Sequence, residues 1–498
     1  MTHQADLIMI FPELLVIAAI FIATVADLFI RKENKHAVGY MCILGLIAAL
    51  AVLIGIKDYA TTFTYSGMFE HTGYSWWFRV MMLCGGILTL MMSFVYARER
   101  QTKEGEFYYL IAIATLGGMV LAGAGNMVTV FLGLELLSIT SYVLVGMQRE
   151  KAFAAEASFK YMLYGAVSSA VMLFGFAIIF GLTGTLNLAE AGAVLGQVLQ
   201  GESSPAATMA MIMVLGGLGY KLAVVPFHQW CPDVYQGASY PVTAFLSVVS
   251  KIAGFAIIIR LIDYVFMGNG LDALAGQWAV AFAVIAAASM ILGNMAALAQ
   301  TNVKRLLAYS SISHAGYVLV GIVAFMAVND TPANIAFLDG ATSAVFYLFG
   351  YLFMNIGAFA GLMHFSRMAG SAEISDIAGL AKRSPAVAFV TASCFVSLAG
   401  LPPFIGFLGK FYLFGAAVQS GYIWLALLGL LMSIVSLFYY AKVIKALYFD
   451  EQTVELKETS PSGAGVTSAL GFSFAGILLT MFLAEPIINV IRWSMERL

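Results

Sequence analysis

Residues 216–233 read GGLGYKLAVVPFHQWCPD and interrupt a chain that otherwise consists of long apolar runs. In this stretch Lys221 is followed by Pro226 and Pro232, with His228 between the two prolines. A proline inside a helix removes a backbone donor and clashes with the preceding turn, so the stretch predicts a helix that is broken within or near a lipid bilayer. Helix breaks at that depth are typical of ion or substrate sites.

The composition places the whole chain in a membrane. Of its 498 residues, 61% are hydrophobic and only 10% are charged, and the mean hydropathy is +0.91. These values indicate an all-α polytopic membrane protein. The net charge of -2 and the lack of a basic patch with interleaved aromatic residues exclude a nucleic-acid partner. Because the four cysteines lie far apart and form no CxxC-type cluster, neither an iron–sulfur centre nor a zinc site is expected on this chain.

Apolar runs predict about 14 transmembrane helices, numbered here as spans 1 to 14. They are expected at roughly 7–29, 37–56, 76–97, 107–123, 127–147, 157–182, 207–230, 241–263, 277–299, 306–327, 338–365, 385–418, 422–441 and 464–491.

Lysine and arginine distribute unequally between the two sides of these spans. One side receives sixteen of them and the other only five, which predicts that the first side is cytoplasmic and that both termini face the opposite compartment. The sixteen are Arg31, Lys32, Lys35, Arg98, Arg100, Lys103, Arg149, Lys151, Lys304, Arg305, Arg367, Lys382, Arg383, Lys442, Lys445 and Lys457. The five are Lys57, Arg79, Arg260, Arg492 and Arg497.

A second break is predicted in span 12, where residues 398–411 read LAGLPPFIGFLGKF. A Gly/Pro interruption again accompanies a lone lysine, Lys410, inside apolar sequence. The breaks fall five spans apart, so the chain is predicted to hold two five-helix repeats; the alternative is two unrelated kinks. The corresponding divisions are 1–106 for three N-terminal helices, 107–263 for spans 4 to 8, 277–449 for spans 9 to 13, and 464–498 for a C-terminal helix.

Four charged residues lie deep enough in apolar runs to be functional candidates: Glu135 in span 5, Lys221 in span 7, Lys251 in span 8 and Lys410 in span 12. A charge at the bilayer centre costs at least about 3 kcal/mol, and such residues often mark ion or proton pathways. Burial disfavours the charged form of a lysine and a nearby carboxylate favours it, so a lysine with a movable acidic partner predicts a switchable proton site. The structural alternative for Glu135 is a neutral carboxyl group held by Ser138.

Two histidines and one further lysine allow more than one interpretation. His228 lies at the predicted break of span 7, where it would either cap exposed carbonyl groups or relay protons. His314 in span 10 is accompanied by three serines and a tyrosine within 309–313, which favours a relay through ordered water. Lys160 is close to the start of span 6 and can also reach the headgroups by snorkelling.

Three motifs resemble the antiporter-like membrane subunits of respiratory complex I. They are PFHQWCPDVYQGA at 226–238, PVTAFLS at 241–247 and NVKRLLAYSSI at 302–312. Within that family, PDVY at 232–235 and GKF at 409–411 are most similar to the subunit N group. The resemblance covers nearly the whole chain, and its motifs are highly specific.

The resemblance implies fourteen helices in two inverted five-helix repeats, with discontinuous spans 7 and 12. It also implies that Glu135, Lys221, Lys251 and Lys410 carry protons. No cofactor is expected on this chain, because NADH, FMN, iron–sulfur clusters and quinone belong to partner subunits. The implied partners are the other complex I subunits, especially the neighbouring antiporter-like subunit and the small membrane subunits. One departure, SYP at 239–241 where the family commonly has Pro-Thr-Pro, affects only the expected loop shape.

The function implied by the resemblance is that of a proton-translocating subunit of an NADH:quinone oxidoreductase. The expected location is the bacterial inner membrane, with the mitochondrial inner membrane as the alternative. A subunit of a multi-subunit Na⁺/H⁺ antiporter would share the fold, but the PDVY and GKF sequences argue against it. A scaffold that no longer pumps is a third class, and it would gain nothing from four buried charges.

Overall fold

The computed structural model describes residues 7–57, 62–64, 67–100, 103–148, 151–199, 205–267, 272–327, 338–452 and 463–496. Within these ranges, thirteen helices are long and apolar enough to cross a membrane, which confirms the all-α polytopic class. Spans 1 to 6 are Phe11–Phe29, His36–Gly55, Gly73–Arg100, Glu104–Ala122, Met127–Val145 and Ala152–Thr183. Spans 9, 10, 11, 13 and 14 are Asp272–Leu298, Val303–Met326, Gly340–Ala369, Ile423–Tyr448 and Ala464–Phe482.

Spans 7 and 12 are broken where the prolines predict it. Span 7 consists of Pro205–Leu222 and Trp230–Gly237, and span 12 consists of Pro385–Ala399 and Ile405–Gln419. The chain leaves the first half of span 12 through Gly400, whose φ of 88° lies in the left-handed region that glycine adopts at no steric cost. Each break therefore leaves backbone carbonyl groups without helical partners in the middle of a span.

Span 8 is irregular although its sequence contains no internal proline. It runs as Tyr240–Ser247 and Val249–Leu261, and then closes in a π-helical turn over Ile262–Phe266. Val248, at the junction, has φ −113° and ψ −74°. This third interruption lies three residues before Lys251 and was not predicted, because no residue type in the stretch demands it.

Four smaller features also differ from the sequence-based expectation. The expected linker 183–206 contains a helix, Leu188–Leu199, and a short antiparallel hairpin of Thr62–Thr64 and Phe69–His71 joins spans 2 and 3. The run 464–491 is two helices, Ala464–Phe482 and Ala484–Met495, because Pro486 lacks a backbone N–H and is tolerated only in a first helical turn. Short 3₁₀ turns occur at Lys32–Asn34 and Leu380–Lys382.

The two repeats share a local hydrogen-bonding pattern. Asn126 caps the start of span 5 and Asn302 caps the start of span 10. After Asn126, the Met127 N–H donates to Leu186 C=O at 3.0 Å; after Asn302, the Val303 N–H donates to Ala372 C=O at 2.9 Å. Because five spans separate these caps and consecutive spans cross in opposite directions, the second unit is inverted relative to the first. The boundaries 107–263 and 277–449 stay a prediction.

The protein interior is built mainly from spans 8, 10 and 11, which are almost wholly surrounded by other helices. Spans 1, 6, 13 and 14 instead expose one face, which carries large apolar side chains such as Phe21, Phe174 and Leu430. Apolar side chains lose nothing when lipid surrounds them, so this outer surface fits a bilayer. Polar groups on spans 8, 10 and 11 therefore lie inside the protein, away from lipid.

Candidate functional site

Lys221 is held by a serine and not by a carboxylate. It is the penultimate residue of the first half of span 7 and is only 2% exposed. Its Nζ donates to Ser138 Oγ of span 5 at 2.9 Å. Glu135 lies one turn earlier on span 5 and interacts with Lys221 electrostatically, yet within the described ranges Lys221 forms no ion pair. Glu135 Oε1 is buried and has no hydrogen-bond partner among the described residues. The Glu135 carboxyl group and the Lys221 ammonium group are thus close enough to interact electrostatically but form no direct ion pair.

Lys251 belongs to a ring of hydrogen bonds that joins spans 8, 10 and 11. Its Nζ donates to the backbone carbonyl of Ser311 at 2.6 Å, and the side chain is 2% exposed. Ser311 Oγ accepts from Tyr351 OH at 3.2 Å, and Tyr351 OH accepts from Asn355 Nδ2 at 2.9 Å. Asn355 Nδ2 also donates to Ser247 Oγ at 2.8 Å, one turn before Lys251. The ring places the hydroxyl groups of Ser311, Tyr351 and Ser247 close to Lys251.

His314 continues this network along span 10. Its Nδ1 lies 2.5 Å from Tyr347 OH and its Nε2 lies 3.0 Å from Tyr440 OH. Tyr440 OH in turn lies 2.5 Å from Ser310 Oγ. Both ring nitrogens therefore face hydroxyl groups that can act as donor or acceptor, the arrangement that a proton relay needs.

Lys410 binds the end of the broken helix in span 12. Its Nζ donates to the carbonyls of Leu398 at 3.0 Å and Ala399 at 2.9 Å, and to Ser433 Oγ at 2.8 Å. The ammonium also lies 4.8 Å from the centre of the Tyr317 ring. The last carbonyls of a helix lack internal partners and carry the negative end of its dipole. The break thus supplies the electrostatic site in which a buried cation is stable.

These groups form one polar belt, defined by Glu135, Lys221, Lys251, His314 and Lys410. Gly254, one turn beyond Lys251, packs against the stem of Lys221: an added Cβ there would lie 3.5 Å from Lys221 Cγ. At the other end, the Tyr317 ring contacts both the ring of His314, with centroids 5.6 Å apart, and the ammonium of Lys410. The structure therefore brings five of the six candidate residues into a single row across spans 5, 7, 8, 10 and 12.

His228, the sixth candidate, lies apart from the polar belt. It is in the break of span 7, where its ring lies beside the Pro226 carbonyl. Its Nδ1 has no hydrogen-bond partner in the described part of the chain, and the adjacent Phe227 is exposed. The N–H of Val225 is instead satisfied by Ser289 Oγ of span 9 at 3.0 Å. The surroundings of His228 fit a structural role in the break better than a relay.

Lys160 also lies outside the belt. Its Nζ forms ion pairs with Glu156 and Asp233, both at 2.7 Å, and Asp233 pairs with Arg305 at 2.7 Å. This cluster ties spans 6, 7 and 10 together at the lysine-rich side of the protein.

Of the three serines near His314, Ser313 takes no part in the polar belt, because its Oγ donates to the Tyr309 carbonyl of its own helix at 3.2 Å.

A second buried charge cluster was missed by the sequence reasoning, which assigned Arg79 and Arg260 to outer loops. Arg79 is 0% exposed, and its Nη2 donates to Glu13 Oε2 at 2.6 Å while its Nη1 contacts His71 Nδ1 at 2.8 Å. Burial, with the charge of Arg79, lowers the pKa of His71 to about 4, so this ring is neutral at pH 7 and accepts the hydrogen bond.

Arg260 completes this cluster on span 8. Its Nη1 donates to the Ala124 carbonyl at 2.6 Å, and its Nη2 lies 3.8 Å from Glu70 Oε2. Glu70 Oε2 also accepts from Tyr264 OH at 3.1 Å. Both arginines lie inside predicted apolar runs, 76–97 and 241–263. Treating every charged residue inside an apolar run as a functional candidate, as was done for the lysines, would therefore have identified them as well.

The residues in the described ranges include no group of three or more His, Cys, Asp or Glu side chains that could hold a metal ion, and all four cysteines are free thiols. The polar belt consists of lysines, a histidine, a glutamate and hydroxyl groups. This chemistry suits the storage and transfer of protons.

Comparisons with known proteins identify the family of this chain. The family described as "NADH:quinone oxidoreductase/Mrp antiporter, TM" matches residues 124–436. NADH-quinone oxidoreductase subunit N from Desulfitobacterium hafniense is 39% identical over 431 residues, which cover 85% of this chain and 85% of that protein.

Solved structures show the same architecture. A chain of respiratory complex I from Thermus thermophilus with bound aureothin has a TM-score of 0.77 and 29% identity, covering 96% of this chain and 98% of that chain. A chain of the Mrp complex from Dietzia sp. has a TM-score of 0.84 but 22% identity, with coverage of 99% and 97%, and shows a common fold alone.

Proposed function

Because the chain belongs to the NADH:quinone oxidoreductase/Mrp antiporter transmembrane family, we propose that it is subunit N of a proton-translocating NADH:quinone oxidoreductase. The observation that carries the proposal is the polar belt, in which three buried lysines and a histidine lie in one row within the membrane-spanning part. Electron transfer from NADH to quinone takes place in partner subunits, which hold the FMN and iron–sulfur clusters. This chain contributes the movement of H⁺.

Transfer starts at Glu135 and Lys221. The ammonium of Lys221 is stabilised when the Glu135 carboxylate approaches and loses that support when the carboxylate withdraws. Two unit charges about 4 Å apart interact by about 4 kcal/mol at an effective dielectric constant of about 20. Moving one charge against about 100 mV takes about 2.3 kcal/mol. The movement of a single carboxylate therefore changes the energy of the lysine enough to drive its proton towards Lys251.

From Lys251 the proton passes along the hydroxyl groups to Lys410. Ser311 and Tyr351 adjoin Lys251, and Ser310 and Tyr440 adjoin His314. Ordered water completes the path where side chains do not touch. Lys410 is the last site, because its carbonyl partners at the break of span 12 stabilise the charged form.

The alternative class, a subunit of a multi-subunit Na⁺/H⁺ antiporter, has weaker support. The likeness to the Mrp complex is one of fold, whereas a relative with 39% identity over most of both chains is named as an NADH-quinone oxidoreductase subunit.

The proposed function also implies the partners of this chain. They are the other complex I subunits, above all the neighbouring antiporter-like subunit and the small membrane subunits. The lysine-rich side faces the cytoplasm of a bacterial inner membrane.

The decisive experiment replaces Glu135 by Gln or Lys251 by Ala in the complete, assembled complex. Both variants should lower proton uptake into inverted membrane vesicles and slow coupled quinone reduction, because each removes a group that holds or drives the proton. Lys442→Ala is the matched control, since this lysine is exposed and donates to the Gln300 carbonyl outside the belt. If Glu135→Gln and Lys251→Ala assemble normally and pump at the wild-type ratio of protons to electrons, the belt is structural and the proposal is wrong.

A further inference from the structure

Asn294 is a buried amide that lies outside the polar belt. It is on span 9 and is 0% exposed. Its Nδ2 donates to Tyr317 OH of span 10 at 3.2 Å, and its Oδ1 accepts from Tyr439 OH of span 13 at 3.0 Å. Nδ2 also donates to the Met290 carbonyl of its own helix at 2.8 Å. One side chain therefore joins spans 9, 10 and 13 through both ends of its amide.

Tyr317, the first of these partners, lies beside two members of the polar belt. Its ring is 5.6 Å from the His314 ring, between centroids, and the Lys410 ammonium lies 4.8 Å from its centre. The hydrogen-bond partners of this ammonium are two carbonyls and a serine hydroxyl, none of which carries a net charge. A cation over an aromatic face is attracted by the ring, so the position of Tyr317 affects the stability of the charged lysine.

Tyr439, the second partner, supports the other side of His314. Its ring lies 4.4 Å, between centroids, from the ring of Tyr440. Tyr440 OH in turn lies 3.0 Å from His314 Nε2 and 2.5 Å from Ser310 Oγ. Asn294 thus bonds to one tyrosine on each side of the histidine.

Two glycines bring spans 9 and 10 close enough for this contact. A Cβ at Gly293 would lie 2.4 Å from Ser313 Oγ, and a Cβ at Gly316 would lie 2.9 Å from the Ala286 carbonyl oxygen. Both distances are shorter than a carbon atom allows, so only glycine fits at these positions. Each glycine directly precedes one of the two hydrogen-bonded residues in the sequence, and the close approach of the helices places the amide opposite the tyrosine.

An amide suits this position because its donor and its acceptor are different atoms, whereas a hydroxyl group rotates and serves as either. Asn294 therefore keeps the Tyr439 hydroxyl as a donor and the Tyr317 oxygen as an acceptor. A buried amide with partners at both ends is held in one orientation. The two tyrosines are fixed with it.

We propose that Asn294 is a positioning residue for proton transfer between His314 and Lys410. It acts through Tyr317 and Tyr439, and it carries no proton itself. The proposal rests on the proposed function, because it concerns one step of the path along the polar belt.

The test compares two rates in the complete, assembled complex: proton uptake into inverted vesicles and NADH oxidation in uncoupled vesicles. Asn294→Leu keeps the size of the side chain and removes both hydrogen bonds to the tyrosines. We expect proton uptake to slow by about fivefold, which corresponds to about 1 kcal/mol, the usual contribution of one hydrogen bond. NADH oxidation in uncoupled vesicles should stay at the wild-type rate, because electron transfer takes place in partner subunits.

Thr480→Val is the matched control. Thr480 is also buried, and its Oγ1 donates to the Gly476 carbonyl of its own helix in span 14 at 2.6 Å. This variant removes a buried hydrogen bond away from the polar belt, so both rates should match the wild type. If Asn294→Leu lowers the two rates in equal proportion, or lowers only the amount of assembled complex, the role of Asn294 is structural and the proposal is wrong.

A second set of variants tests whether Asn294 acts through its partners. Tyr317→Phe keeps the ring and removes the hydroxyl, so it should slow proton uptake, and adding Asn294→Leu should cause little further loss at this partner. Fully additive losses would contradict the proposal. If Asn294→Leu does not assemble, Tyr317→Phe and Tyr439→Phe decide, and unchanged proton uptake in both would refute it. Lys251→Ala separates this inference from the proposed function: a loss of pumping in Lys251→Ala alone rejects only the role of Asn294, whereas no loss in either variant rejects both.

Discussion

At the residue scale, the hydrogen-bond partner of Lys221 explains how a buried lysine can change its charge. A serine hydroxyl accepts from the ammonium form and donates to the neutral amine, so Ser138 serves both states. A carboxylate at the same distance would hold the lysine charged. Lys410 has a similar partner in Ser433, with its Oγ 2.8 Å from Nζ. Under the proposed function, Ser138 thus lets Lys221 both load and release a proton.

This role of Ser138 leads to a direct prediction. Ser138→Ala removes the partner of the Lys221 ammonium, and a hydrogen bond to a charged group contributes about 1.5–3 kcal/mol. We expect proton uptake into inverted vesicles to slow by about tenfold in the assembled complex. Ser141→Ala is the control, because Ser141 lies one turn further along span 5 and, among the described residues, its Oγ donates to the Leu137 carbonyl of its own helix at 2.6 Å. Equal rates in the two variants would refute a role for Ser138 in proton loading.

The Arg79 cluster predicts a different outcome, loss of stability. Glu13→Ala leaves the buried guanidinium without its carboxylate, and breaking such a pair costs about 3–5 kcal/mol. The exposed pair of Lys445 and Asp450 provides the comparison, since surface ion pairs contribute about 0–1 kcal/mol. The measurement is the amount of folded chain recovered in the complex and its unfolding temperature. Glu13→Ala should lower both strongly and Asp450→Ala neither; similar values for the two would contradict the buried-pair account.

At the element scale, breaks with a proline could be predicted and the break without one could not. The prolines at 226 and 402–403 remove backbone donors, so sequence alone places the interruptions of spans 7 and 12. The irregular turn at Val248 has no such cause in the sequence. The same limit applies to the site: isolated lysines stand out in apolar sequence, but their partners, such as Ser138 for Lys221 and Ser433 for Lys410, come from other spans that only the fold brings together.

The break in span 12 carries its own prediction. In the double variant Pro402→Ala and Pro403→Ala, the chain regains two backbone donors, so the helix should extend across the break and satisfy the carbonyls of Leu398 and Ala399 internally. Lys410 would lose two of the three hydrogen-bond acceptors that it has among the described residues, and we expect proton pumping to fall while quinone reduction continues in uncoupled membranes. Hydrogen exchange of residues 400–405 reports the helix. If the amide groups of these residues exchange more slowly in the variant but proton pumping is unchanged, the break in span 12 is not needed for pumping.

At the scale of the whole molecule, charge is sorted both across the membrane and into the interior. Loops on one side carry most of the lysine and arginine, while the buried lysines and arginines lie on helices that pack against other helices. Arg79 and Arg260 belong to this buried set, so they do not count towards the orientation. Removing them from the outer side leaves three loop cations there, five minus two, against sixteen, which strengthens the predicted topology.

The topology can be tested by labelling single cysteines from each side of sealed vesicles, in a chain whose four native cysteines are replaced by alanine. The loops around Arg31, Arg98 and Lys382 are predicted to be cytoplasmic, so Arg31→Cys and Lys382→Cys, both at exposed positions, should react with a membrane-impermeant reagent only from that side. Glu190→Cys is the matched control, because Glu190 is exposed on the helix Leu188–Leu199, which joins spans 6 and 7 on the opposite side. The number of spans between Lys382 and Glu190 is odd, so no rotation of the molecule can place both on one side. Labelling of Arg31→Cys and Lys382→Cys only from the outer face would reverse the predicted orientation.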